Sequence, residues 1–184
     1  MSVAAVVLAA GASTRLGSPK QLVRLAGETL LERTVRVARE AGCSPVVVVL
    51  GASAAVIQAQ CSLGDARVVV NQDWDSGMGG SIGVGVGALN DVDGCVVMTC
   101  DMPAVTVSHL QVLMSTGEMV ASSYAGRRGV PAYFPAGVFG ELMELRGDVG
   151  ARGLLQGARC VELVGGDLDV DTVGDLDRVR ELLG

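Results

Sequence analysis

Apolar positions along the chain fall into two rhythms. Short, mostly apolar runs, Val3–Leu8, Val46–Leu50, Ala66–Val70 and Gly94–Cys100, are bounded by glycine, proline or polar residues. Runs of this kind read as strands buried on both faces. Between them the spacing becomes helical. Leu31, Val35 and Ala38 share one face of a helix that Thr29 can cap and that runs to about Ala41, where Gly42 ends it. A second helix is expected over Ala54–Gln60, a third over Val107–Met114 and a fourth over Val138–Leu145. Lys20–Val23 is expected to be briefly extended, with Ala26-Gly27 as a turn. Met119–Ser123 and Val130–Phe134 read as a hairpin, and Cys160–Leu163 as a short strand. In Ile82–Leu89 glycines alternate with apolar residues, a strand-like period, but a parallel sheet needs a crossover here, so a close-packed helix is expected.

Strand, helix, strand, helix, strand in succession predicts a mostly parallel central sheet with right-handed crossovers. Ligands of such sheets bind beyond the carboxyl ends of the strands. The residues just after each strand are therefore the candidates for chemistry.

Composition sharpens this picture. The chain has 184 residues, enough for one domain with a full core, and 49% of them are hydrophobic, which excludes a disordered chain. Only 3% are aromatic, so the core must be Val, Leu and Ala, as suits central strands covered by helices on both faces. The net charge of -6, with no basic patch, argues against a nucleic-acid partner but is compatible with a metal–nucleotide complex. The five cysteines form no C-x-x-C pair, so reduced thiols in a cytoplasmic protein are expected rather than zinc or disulfides. The first apolar run is too short to span a bilayer and has no basic flank, so no membrane or export role is expected.

The stretch after the first strand carries the strongest signal. Small residues Ala9–Ala12 lead to Ser13, Thr14, Arg15 and Lys20, with Gly11 and Gly17 interspersed. Small residues let backbone N–H groups approach an anion, and the two cations can offset its charge. A Walker loop is excluded, since Ser18 and Pro19 separate Gly17 from Lys20. A dinucleotide fingerprint is excluded too, because the glycine spacing is wrong and no acid ends the second strand at Leu50-Gly51. At the end of the Gly94–Cys100 strand stands Asp101, placed to hold Mg²⁺ with substrate phosphates. Asp167, Asp169 and Asp171 alternate along an extended segment, and one of them would be a second ligand. Thr172 and Asp175 have the spacing of a capping box for the last helix. The polar loops at Asn71–Ser81, at Arg127-Arg128 and at Gly147–Arg152 supply further candidates; Asp148 can cap a helix and Arg152 can meet an anion. His109, mid-helix, is expected to be a packing or surface residue.

LAAGASTRLGSPK at Leu8–Lys20 resembles the signature loop of nucleotidyltransferases with a GT-A-like, Rossmann-like three-layer α/β fold. Asp101-Met102-Pro103 resembles their metal-binding turn, and DVDT at Asp169–Thr172 their late acidic motif. More narrowly, Asn71-x-x-Trp74-x-x-Gly77, Gly129-x-Pro131 and Gly147-Asp148-x-Gly150-x-Arg152 resemble the molybdenum cofactor cytidylyltransferase subfamily. The resemblance implies transfer of CMP from CTP to the phosphate of molybdopterin, with release of pyrophosphate. It implies that Leu8, Ala9, Ala10, Gly11, Asn71 and Ser81 meet the nucleotide. Arg15 and Lys20 would bind its phosphates, and Asp101 and Asp171 would hold Mg²⁺. Arg128, Asp148 and Arg152 would face the acceptor, and a molybdoenzyme or its chaperone would receive the product. Leu8-Ala9-Ala10-Gly11 in place of the guanylyl branch's Leu-Ala-Gly-Gly favours cytosine. Val173-Gly174 replaces the Pro-Glu that often follows the late motif.

Three rivals follow. A related transferase could use GTP or another phosphorylated acceptor. A degenerate fold could bind the cofactor without catalysis, although Arg15, Lys20, Asp101 and Asp171 argue for a working site. A dinucleotide-dependent oxidoreductase fails on the missing fingerprint.

Overall fold

A computed structural model describes residues 1–183. In chain order the elements are β1 (Val3–Ala9), β2 (Arg24–Leu25), β3 (Glu28–Thr29), α1 (Leu30–Glu40), β4 (Val46–Leu50), α2 (Ala54–Gln60), β5 (Arg67–Val70), α3 (Met78–Gly87), β6 (Gly94–Thr99), α4 (Val107–Met114), β7 (Val120–Tyr124), β8 (Arg127–Pro135), α5 (Phe139–Glu144), β9 (Arg159–Glu162) and α6 (Val173–Leu183). Seven strands form one sheet in the order β5-β4-β1-β6-β8-β7-β9. β5, β4, β1 and β6 run parallel; β8 is antiparallel to both β6 and β7, and β9 is parallel to β7.

β1 is the centre of the sheet and is buried along its whole length. Its side chains alternate between two cores. Ala5, Val7 and Ala9 pack into the layer that holds α1 and α4, whereas Ala4, Val6 and Leu8 face the layer of α3 and α5. The result is three layers, as expected for valine-rich strands covered on both faces. A small third cluster joins Leu25 and Leu30 to Val170 and Val179, so α6 closes against the ribbon of β2 and β3.

Local signals act as the residue types dictate. Thr29 Oγ1 accepts from the Glu32 N–H while Glu32 accepts from the Thr29 N–H, a full capping box at the start of α1. Thr172 and Asp175 form the same reciprocal pair at α6. Ala125 and Gly126 both take positive φ, 47° and 72°, and turn β7 directly into β8.

Several expectations are corrected. Lys20–Leu22 is a 3₁₀ turn, not extended: Pro19 presets φ at -58°, and Leu22 and Val23 N–H groups bond back three residues. The strand-like glycine series is indeed helical, but α3 starts at Met78, ahead of the expected Ile82, so Ser81 lies inside it. Its glycines are needed for close approach: a side chain at Gly85 would stand 2.4 Å from Val6 Cγ1, and one at Gly79 2.7 Å from the Arg146 backbone. No helix follows Asp148. Positive φ at Gly147, Gly150 and Gly157 keeps residues 148–157 in successive turns. Asp167–Thr172 is not a continuous extended segment either. A turn at Gly165 (φ 75°) leaves Asp167 exposed, and only Asp169 and Asp171 approach the sheet. Among the described residues no helix is long and apolar enough to cross a membrane.

Candidate active site

Two clefts open beyond the carboxyl ends of β1 and β6. The first, about 350 Å³, is lined by Leu8–Gly11, Lys20, Trp74, Ser81, Asp101 and Asp148, among others. The second, about 150 Å³, shares Asp101 and Asp148 and adds Tyr124, Arg127, Arg152 and Asp169. Asp101 stands between them because β6 ends there. Val170 N–H bonds to the Asp101 carbonyl at 3.0 Å and brings Asp169 and Asp171 alongside.

The centre of the site is a charge cluster. Lys20 Nζ donates to Asp101 Oδ2 at 2.6 Å and to Asp171 Oδ1 at 2.9 Å. Arg15, largely exposed, donates to the other oxygen of Asp171 at 3.1 Å. Burial works against the Lys20 charge, but the charge and hydrogen bond of Asp101, joined by those of Asp171, outweigh it and hold its pKa above the ordinary lysine value. Burial and the neighbouring charges of Asp101 and Asp171 push the Asp169 carboxyl up to about 6. Cys100 also lines the first cleft, but burial pushes its thiol up to about 12, so it stays protonated and is no nucleophile.

Each candidate residue has a definite place. Leu8, Ala9, Ala10, Gly11, Lys20, Ser81, Asp101 and Asp148 share the first cleft. Arg15 and Asp171 join it through the charge cluster. Asn71 stands behind it: buried, it donates from Nδ2 to Ser81 Oγ at 3.0 Å. Asp148 and Arg152 line the second cleft. Arg128 does not, because its Nε donates to the Ala158 carbonyl at 3.1 Å and strand alternation gives the cleft to Arg127 instead. His109 is buried against Ser122, with Nε2 2.8 Å from its hydroxyl, outside both clefts.

Of the Arg127-Arg128 pair it is Arg127 that faces the cleft, since the turn length fixes which arginine points there. Two further residues carry no signal in the sequence. Gly51 backs the sole tryptophan: a side chain there would fall 2.4 Å from Trp74 Cβ. Gln21, fully buried, donates from Nε2 to the carbonyls of Ala9 and Gly11.

Among the described residues no group of three or more His, Cys, Asp or Glu forms a metal cage. The donor set nevertheless suits a hard cation. Asp101 and Asp171 place carboxylate oxygens on one ammonium, and Mg²⁺ takes one or two carboxylates and completes its shell with phosphates and water.

The fold thus brings a cation-bearing loop after β1 and paired carboxylates after β6 and before α6 to one place. The chain belongs to the MobA-like NTP transferase domain family, whose model matches residues 5–163. It is similar to nicotine blue oxidoreductase of Paenarthrobacter nicotinovorans, 36% identical over 98% of this chain and 94% of that one. The purine catabolism protein PucB of Bacillus subtilis is 32% identical over 97% of this chain and 96% of its own length. A shorter match, 56% identical over 26% of this chain and 24% of the relative, is to a probable molybdenum cofactor guanylyltransferase of Opitutus terrae. Among solved structures, Rv0371c of Mycobacterium tuberculosis superposes with a TM-score of 0.88, at 35% identity over 98% of this chain and 99% of that one. Its complex with manganese superposes at 0.83, with 33% identity over 98% and 99%.

Proposed function

We propose that this chain, acting as one catalytic unit in the cytoplasm, transfers CMP from CTP to the phosphate of molybdopterin or its molybdenum form and releases pyrophosphate. The observation that carries this reading is the convergence of Lys20, Asp101 and Asp171 beside the Leu8–Gly11 cradle. The cradle and Ser81 would hold the nucleotide in the first cleft. Arg127 and Arg152, in the second, would meet the acceptor's phosphate, with Asp101 between the two substrates.

Such a reaction asks little acid–base work of the protein. A phosphate monoester has its second pKa near about 6 and is mostly dianionic at neutral pH, so it attacks without a base. The placement of His109 away from both clefts accords with that. What remains is alignment of the two phosphates and neutralisation of charge on the leaving pyrophosphate. Lys20 and Arg15 are the groups able to supply that neutralisation. Mg²⁺ held by Asp101 and Asp171 would add positive charge at the α-phosphate and orient it. The manganese complex of Rv0371c supports a divalent ion in this fold. A molybdoenzyme or its chaperone would take up the product.

The test is a panel of labelled CTP, GTP, ATP and UTP incubated with molybdopterin and Mg²⁺. Pyrophosphate formed with CTP is expected. Pyrophosphate formed only with GTP would move the chain to guanylyl transfer, toward which the short match to the guanylyltransferase points. A second reading comes from the relative named nicotine blue oxidoreductase. Fluorescence titration with NADH separates the two: saturable NADH binding without nucleotide transfer would replace the transferase reading.

A further inference from the structure

Gln21 occupies an odd position for an amide. It is fully buried, 0% exposed, and its Oε1 has no donor among the described residues. Leaving a buried acceptor unpaired costs stability. Methionine or leucine would fill similar volume without that cost, so packing alone does not account for glutamine here.

The other end of the amide does what an apolar side chain cannot. Nε2 donates to the Ala9 carbonyl at 2.8 Å and to the Gly11 carbonyl at 3.1 Å. Both partners are pure acceptors, so the chemistry fixes which end of the amide is nitrogen. Between them, the Ala10 carbonyl accepts from the Ala52 N–H at 2.9 Å. Three successive carbonyls at the mouth of β1 are thus tied down. In a planar trans peptide the C=O and N–H point in opposite directions. Drawing the Ala9 and Gly11 oxygens toward Gln21 therefore turns the N–H groups of Ala10 and Ala12 away from it.

Packing holds Leu8, Ala9 and Ala10 but not the far end of this loop. Gly11 and Ala12 are exposed, and a side chain added at Gly11 would meet nothing within 4 Å. Hydrogen bonds are what fix its shape. Gln21 also sits in the 3₁₀ turn that carries Lys20, and the Lys20 N–H bonds to Ser13 Oγ at 3.0 Å. One short turn thus grips both ends of the loop and presents the ammonium.

We infer that Gln21 is a positioning residue of the nucleotide site: without touching substrate, it sets the direction of the cradle's peptide groups and their register with Lys20. This rests on the reading of the Leu8–Gly11 loop as a nucleotide cradle. It extends that reading to a core side chain and predicts that binding will suffer more than stability.

The experiment compares wild type with Gln21→Met and Gln21→Glu by urea denaturation and by titration with CTP plus Mg²⁺. Gln21→Met removes the orphaned oxygen but leaves the Ala9 and Gly11 carbonyls without Nε2, so its stability is expected to change little, whereas CTP should bind about tenfold more weakly for the loss of two modest hydrogen bonds. In turnover this reads as a raised KM with a smaller change in kcat. Gln21→Glu aims a carboxylate at two carbonyls. Its CTP affinity relative to wild type should be poorest at high pH and recover as pH falls, when the protonated acid again donates to one carbonyl. A folded Gln21→Met protein with wild-type CTP affinity overturns the inference. Should Gln21→Met fail to fold, a Gln21→Glu affinity ratio that does not change with pH overturns it equally. If wild type itself binds neither CTP nor GTP, the nucleotide reading falls and this inference with it. If wild type binds and both variants match it, only the inference falls.

Discussion

Lys20 stands where a cation is wanted, and that makes its removal informative. In Lys20→Met, Asp101 and Asp171 lose the ammonium they share at 2.6 and 2.9 Å. An exposed ion pair contributes about 0–1 kcal/mol, and stripping one partner from a buried pair costs about 3–5 kcal/mol. The side chains of Lys20, Asp101 and Asp171 are 18%, 15% and 33% exposed, which puts this loss between the two limits, at about 2 kcal/mol. Without nucleotide, a divalent ion must compete with Lys20 for the same carboxylates. Deleting the lysine should therefore tighten Mn²⁺ binding by about 2 kcal/mol, or roughly 30-fold. The assay is titration of nucleotide-free protein with Mn²⁺, following free ion by EPR. The same variant should melt at lower urea without metal and regain stability when Mn²⁺ is added. Turnover should fall by about a hundredfold or more, as for loss of one charge-stabilising group. Mn²⁺ binding in Lys20→Met that equals or is weaker than wild type would refute the shared-site reasoning.

Three further outcomes follow from the packing. Gly51→Ala puts a methyl 2.4 Å from Trp74 Cβ and should shift the emission of the only tryptophan and weaken its response to CTP; unchanged emission would mean that Trp74 is not held there. Gly85→Ala drives a methyl into Val6 and Val49 and should cost about 1–3 kcal/mol in urea denaturation, with Gly137→Ala, which meets nothing within 4 Å, as the control. Burial lowers the His109 pKa in the folded state below its ordinary 6.5, so the unfolded chain takes up the proton first as pH falls. The stability contributed by neutral His109 should thus be full above pH 6.5 and be lost toward the folded-state pKa, by at most about 1.4 kcal/mol per pH unit, and His109→Gln should flatten that slope.

How much of this was legible from the residues depended on distance along the chain. Val3–Leu8 announces a central strand because six apolar residues fit only a position covered on both faces. Capping at Thr29 and Thr172 is written within four residues, and it is found as written. Asp101 at a strand end could be placed over the crevice from topology alone. Other features needed tertiary information. Gln21 looks like an ordinary polar residue in a loop until its burial is known. Asn71 reads as a nucleotide contact but is spent on Ser81. The choice between Arg127 and Arg128 hangs on a two-residue turn, since one residue of slip reverses every side chain of a strand. The start of α3 was obscured because glycine alternation mimics strand period, and only contacts with Val6, Met143 and Arg146 show why glycine stands there.

The placement of β1 carries a cost during synthesis. Its neighbours in the sheet are β4 and β6, which end at Leu50 and Thr99. As the chain leaves the ribosome, this seven-residue apolar strand must wait until Thr99 has been made before both of its edges are covered. That interval exposes a flat, valine-rich ribbon able to pair with other nascent chains, so yield on overexpression should respond more to chaperone supply and growth temperature than the stability of the finished protein would suggest.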